Sequence, residues 1–189
     1  MTTAIATAEL FSQGFRQFDA VQEATIAGRS AVEALVAYPT GKFKGAMRQA
    51  HRLIAVENCV RVFRRFTEST HERIKWFSDT AEQLEAATDT ADSTAFLSRL
   101  DEITQLTHDG LDLAEQGRDL MAKIGMSHRA RERRRRIGNE LIDALRMQIQ
   151  AIERVRWAVM EMEADVDIAS GDLSTTFNSA DDLLSSVRD

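Results

Sequence analysis

From Leu53 to Thr88 the chain sets Leu53, Val56, Val60, Phe63, Thr67, Thr70, Ile74, Phe77, Ala81, Leu84 and Thr88 at alternating spacings of three and four. None of these positions carries a charge. A 3.5-residue period held this long requires a long helix whose one seam faces other helices. The rest of the 189 residues must supply those helices, and composition permits it. Pro39 is the single proline, and proline is the residue that most firmly ends a helix. The expected fold class is therefore all-α: an elongated antiparallel four-helix bundle of coiled-coil-like helices, with a short C-terminal amphipathic helix.

The first helix is expected over about Thr3 to Val36. Its seam is Phe11, Gly14, Phe18, Val21, Thr25, Gly28, Val32 and Leu35, and Phe15 and Ile26 widen the apolar face. Tyr38-Pro39-Thr40-Gly41 breaks it, because the residue before proline is pushed out of helical geometry. The second helix, about Lys42 to Thr88, spans roughly 70 Å at 1.5 Å per residue. A turn follows at Asp89–Asp92, with Asp92 or Ser93 as a cap. The third helix, about Ser93 to Ile124, carries Phe96, Leu100, Ile103, Leu106, Leu113, Leu120 and Ile124. Gly110 and Gly117 lie one heptad apart on or beside that face, where small residues admit a neighbouring helix. After Gly125-Met126-Ser127 the fourth helix runs from about Ser127 to Ala169. Its seam is Gly138, Leu141, Leu145, Gln148, Ile152, Val155, Val159, Met162, Val166 and Ala169. Gln148 is its polar member, expected either to set register, as polar residues do in such seams, or to sit near the seam's edge. The bundle is expected over residues 1–171. Residues 172–189 are expected to form an acidic amphipathic tail carrying Leu173, Phe177, Leu184 and Val187.

Charge alternates by segment. Residues 41–78 hold nine basic and three acidic side chains, residues 79–119 two and eleven, residues 120–160 ten and four, and residues 161–189 one and eight. Folding back would lay a basic helix beside an acidic one, which selects neighbours more than it stabilises them. The dense run Arg129, Arg131, Arg133, Arg134, Arg135 and Arg136 opens a helix, where positive charge opposes the helix dipole. It is expected to face an acidic partner or another anion, and phosphates of a nucleic acid are one candidate. No aromatic residues interleave with it, so base stacking is not indicated. The overall charge of −6 argues against a wholly nucleic-acid-binding surface.

Signals for chemistry are sparse. The lone Cys59 precludes an intrachain disulfide, which fits a reducing, cytoplasmic setting. No basic stretch precedes an apolar run at the N-terminus, so no secretory leader is expected. No apolar stretch reaches 18 residues, so no transmembrane segment is expected. Glu68 and His71 form a lone Glu-x-x-His, without the second copy and extra carboxylates that a di-iron bundle needs. No cofactor or metal is expected. Trp76 and Trp157 fall mid-helix beside seam residues or arginine, and core-edge packing is expected of both.

Two family resemblances attach to particular residues. Arg65-Phe66-Thr67-Glu68-Ser69-Thr70-His71 is similar to the Arg-x(4–6)-His spacing of helical HEPN ribonucleases, where it would imply an Arg and a His acting on RNA at a dimer cleft. A solvated helix face accounts for the same residues. Thr90-Ala91-Asp92-Ser93-Thr94-Ala95-Phe96-Leu97-Ser98-Arg99-Leu100, then Leu113-Ala114-Glu115-Gln116-Gly117-Arg118-Asp119-Leu120, resembles bacterial phasins. Ala31-Val32-Glu33-Ala34-Leu35-Val36 is similar to an earlier phasin helix. That resemblance implies a non-catalytic cytoplasmic protein that coats polyhydroxyalkanoate granules.

The expected function is therefore non-catalytic. The chain is read as a helical structural or interaction protein, not an enzyme, that self-assembles or binds a protein or hydrophobic surface through amphipathic helices. The expected interaction seam is Phe63, Ile74, Phe77, Ile152 and Val159. The expected partners are further copies of the chain, another helical protein or a hydrophobic granule surface. The alternative is a nucleic-acid-binding protein acting through Arg129–Arg136, with the helical ribonuclease as its enzymatic form.

Overall fold

A computed structural model describes residues 7–37, 46–87, 92–124 and 127–170. They form four helices and no strand: α1 (Thr7–Ala37), α2 (Ala46–Glu85), α3 (Thr94–Lys123) and α4 (His128–Ser170). The chain is all-α. The expected breaks at Pro39 and Gly125-Met126, most of the 89–92 turn and the whole 172–189 tail lie outside the described residues. Of the two expected caps, Asp92 serves α3: its carboxylate accepts the Thr94 backbone N–H at 3.0 Å. Ser93 occupies the cap position, but its hydroxyl reaches across to Glu163 of α4.

In cross-section the order is α1, α2, α4, α3, with α2 and α3 on one diagonal. Facing pairs give the directions. Gly14 meets Phe96 and Gly117 meets Val32, so residue numbers rise together along α1 and α3. They also rise together along α2 and α4, from Glu57–Arg134 through Arg73–Gln148 to Glu85–Arg154. Along α1 and α2 they run oppositely, with Gly14 by Trp76 and Gly28 by Phe66. The same holds for α3 and α4, with Asp101–Arg156 and Arg118–Asn139.

The charge pattern anticipates half of this arrangement. Acidic α3 does lie along basic α4, joined by Asp101–Arg156 and by Glu115–Arg146 at 3.6 Å. Basic α2, however, also lies along basic α4. Apolar burial outranks exposed charge: each fully buried large side chain gains about 1.5–3 kcal/mol, against roughly 0–1 kcal/mol for an exposed ion pair.

The described part of the α2 stripe packs as its period requires. Val56, Val60, Phe63, Thr70, Phe77, Ala81 and Leu84 are buried, and Leu53, Thr67 and Ile74 are half-buried. A second line, Cys59, Phe66, Arg73 and Thr80, is also buried beside it. On α3 the core line is Thr107, Gly110, Ala114, Gly117 and Met121. The leucines expected there, Leu106, Leu113 and Leu120, are only half-buried. Bulk from α2 explains the shift. A Cβ on Gly117 would collide with the Phe63 ring, and one on Gly110 would stand 3.1 Å from the Phe66 ring. Gly138 serves the α3–α4 contact in the same way: a Cβ there would meet Arg118 Cβ at 2.5 Å and its Cα at 3.2 Å.

Candidate functional site

Two apolar clusters fill the bundle. One gathers Phe11, Phe77, Phe96, Leu100, Ile152 and Val159, with the Phe11 and Phe96 rings stacked at 4.4 Å. The other gathers Val32, Phe63, Phe66, Met121, Leu141 and Leu145. Between them, on three helices, lies a buried polar layer.

Arg73 is its centre, 2% exposed. Its Nε–H donates to Gln148 Oε1 of α4 at 2.8 Å, its Nη2 donates to Thr70 Oγ1 at 2.8 Å, and its Nη1 donates to Ser69 Oγ. Gln148 passes the pattern on, donating from Nε2 to Thr107 Oγ1 of α3 at 2.7 Å. Both threonine hydroxyls then donate to carbonyls one turn back: Thr70 to Phe66 and Thr107 to Ile103, each at 2.7 Å. Arg73 also stands 5.9 Å from the centre of the Phe66 ring. Every acceptor is neutral. Among the described residues no carboxylate comes within ion-pair distance of Arg73. Burial pulls its pKa down to about 10, partly opposed by the nearby Glu72 charge. A buried ion costs several kcal/mol unless its donors are satisfied, and here hydrogen bonds satisfy them without neutralising the charge.

Gln148 lies fully inside the bundle and not at the seam's edge, and its bonds to α2 and α3 are of the kind a register-setting residue makes. The heptad neighbours of Gln148 are Leu141 and Val155. A one-heptad slip of α4 would bring one of them opposite Arg73 and offer no acceptor. Sequence inspection finds Gln148 but misses Arg73. The Cys59–Phe66–Arg73–Thr80 line is regular in spacing, but its mixed chemistry hides it from a hydrophobic pattern.

The expected interaction seam lies inside this same interior. Phe63, Phe77, Ile152 and Val159 are at most 1% exposed, and Ile74 is half-buried against the same core. Their apolar surface is used within the chain. The surface of α4 presents other apolar groups. Trp157 is 61% exposed and Ile168 63%, with Met147 and Met160 about half exposed. At 100° per residue, Trp157 and Ile168 point almost directly away from Ile152 and Val159. The expectation of core-edge packing therefore holds for Trp76 and fails for Trp157. Trp76 packs edge-to-face on Phe77 at 5.0 Å and donates to Gln13 at 3.3 Å. Ile26, expected to widen the apolar face of α1, is likewise exposed.

Within the arginine run, Arg129, Arg131, Arg133, Arg135 and Arg136 are exposed. Arg135 pairs with Glu132 at 3.4 Å and Arg136 with Glu140 at 3.7 Å, both along the helix. Arg134 is 7% exposed and turns towards α2, its Nη2 3.6 Å from Glu57 and its Nη1 without a hydrogen-bond partner among the described residues. Arg65 and His71 stand six residues apart, about 240° around α2: Arg65 lines a groove with α1, and His71 is exposed. Among the described residues no three His, Cys, Asp or Glu side chains gather as a metal site, and no helix is long and apolar enough to cross a membrane. No family model matches this chain, and no curated protein or solved structure matches it.

Proposed function

We propose that this chain is a non-catalytic helical interaction protein that assembles through the outer face of α4, with a second copy as its first partner. The carrying observation is the exposed Met147, Trp157, Met160 and Ile168 on the side of α4 opposite its buried seam. A tryptophan, two methionines and an isoleucine spaced along one helix face form a surface suited to another helix or an apolar phase. Charge supports self-pairing. The first half of α4 carries Arg129–Arg136, and its last turns carry Glu161, Glu163 and Asp165. Two α4 helices lying antiparallel would set basic halves against acidic ones. The elongated, coiled-coil-like character of the bundle, antiparallel only between consecutive helices, and a cytoplasmic, bacterial setting belong to this reading. So does a polyhydroxyalkanoate granule as an alternative apolar surface, through the phasin resemblance. Sedimentation tests the proposal: the chain should self-associate at micromolar concentration, and Trp157→Glu with Met160→Glu should shift it to monomer. A wild-type chain that stays monomeric would sink it.

One observation favours a second reading, an anion-binding surface for nucleic acid. Because residue numbers rise together along α2 and α4, Arg52, Arg61 and Arg64 lie at the same end of the bundle as Arg129–Arg136. Salt-sensitive RNA or DNA binding abolished by Arg133→Glu and Arg135→Glu would support it. RNA cleavage lost in His71→Ala would support its ribonuclease form.

A further inference from the structure

The polar layer approaches the surface in the groove between α1 and α2. The groove holds about 320 Å³, at the lower end of the roughly 300–1,000 Å³ typical of small-molecule sites. Its apolar walls are Ala20, Ala24 and Ala27 of α1 and Val62 and Phe66 of α2. The three alanines fall one turn apart on one face, so α1 leaves space where larger side chains would close it. The polar members are Glu23, Arg65 and Ser69.

Ser69 links the groove to the buried charge. Its Oγ accepts from Arg73 Nη1. Among the described residues its own hydroxyl proton has no acceptor, and Arg65 has no ion-pair partner. Arg73 behind it is 98% shielded from water with only neutral acceptors. An anion at the groove floor would therefore meet a polarised hydroxyl, a direct guanidinium and a second, unneutralised guanidinium one bond further in.

We propose that this groove binds a small amphiphilic carboxylate. The carboxylate accepts from the Ser69 hydroxyl and from Arg65, and a short alkyl body lies along Ala20, Ala24, Ala27, Val62 and Phe66. The site is separate from the α4 face, so it stands whether or not the chain self-assembles.

Octanoate below its micelle concentration, titrated calorimetrically into the full chain, is the probe. Saturable binding at about one site per chain is expected. Acetate, which lacks the chain, should bind at least about tenfold more weakly, and octylammonium should not compete. Ala24→Phe fills the groove without touching the hydrogen bonds of Arg73, and Ser69→Ala removes the hydroxyl. Each should weaken octanoate at least about tenfold, with the helical melting transition retained as the check on folding. Absence of saturable octanoate binding at millimolar concentration would overturn the proposal. So would equal affinity for octylammonium, tighter binding of octyl phosphate, or unchanged affinity in a folded Ala24→Phe chain.

Discussion

Around Phe77 and Phe96 the helices bury mainly apolar side chains and no charge, yet one turn along α2 from Phe77 they bury an arginine, a glutamine and two threonines. The two regions are equally dry and do different work. The apolar clusters supply most of the free energy, and they tolerate substitution of one apolar group by another of similar volume. The polar layer contributes little net stability and is intolerant, because each donor has one acceptor at one height. Apolar packing holds these helices together, and the layer fixes how far each may slide.

Experiments that break this contrast fall in a descending order of effect. Cys59 lies in the dry interior beside Phe63, and burial pushes its thiol up from 9.0 to about 12. Since the thiolate is the reactive form, native Cys59 should react with a disulfide reagent about a thousandfold more slowly than in urea, from pKa alone. A fast native rate would show that this core opens readily. Phe77→Ala should cost about 3–5 kcal/mol by urea denaturation, the toll of a cavity in a well-packed core. Gln148→Leu keeps the volume but strands Arg73 Nε–H and takes the donor from Thr107, so it should cost about 1–3 kcal/mol or more. Pairing it with Arg73→Met should recover most of that loss, while broadening the amide spectrum as register loosens. A double variant as unstable as Gln148→Leu alone would refute the division of labour. Asp101→Asn, on the exposed α3–α4 rim, should change stability by no more than about 1 kcal/mol.

How far the sequence foretells this structure differs by feature. The four helices of the described residues and the starts of α3 and α4 follow from period and punctuation, with Ser93 and Ser127 directly preceding those helices. The described α4 seam from Gly138 to Met162 is buried throughout. Neighbour choice is only half legible: charge puts acidic α3 beside basic α4, as found, but also suggests α2 beside α3, whereas apolar seams put α2 beside α4. The buried side of α3 is not legible: Gly110 and Gly117 signal close approach, but only the position of Phe63 and Phe66 makes them the core line. The outer face of α4 escaped notice because a tryptophan at helical spacing reads as core until its neighbours are known. The groove escaped for the opposite reason, since alanines on a helix look like nothing at all.

The diagonal placement of α2 and α3 divides the chain into two hairpins, α1–α2 and α3–α4, whose mutual contacts are far apart in sequence. Thr25 reaches Leu106 across 81 residues and Arg73 reaches Gln148 across 75. A bundle whose neighbours followed chain order would make mostly local contacts and fold quickly. Here contact order is raised, and the slow step should be hairpin docking rather than helix formation. Mixing residues 1–90 with residues 91–189 as separate peptides exposes that step directly: their association rate should depend on concentration, and the Arg73–Gln148 bond can form only after they meet.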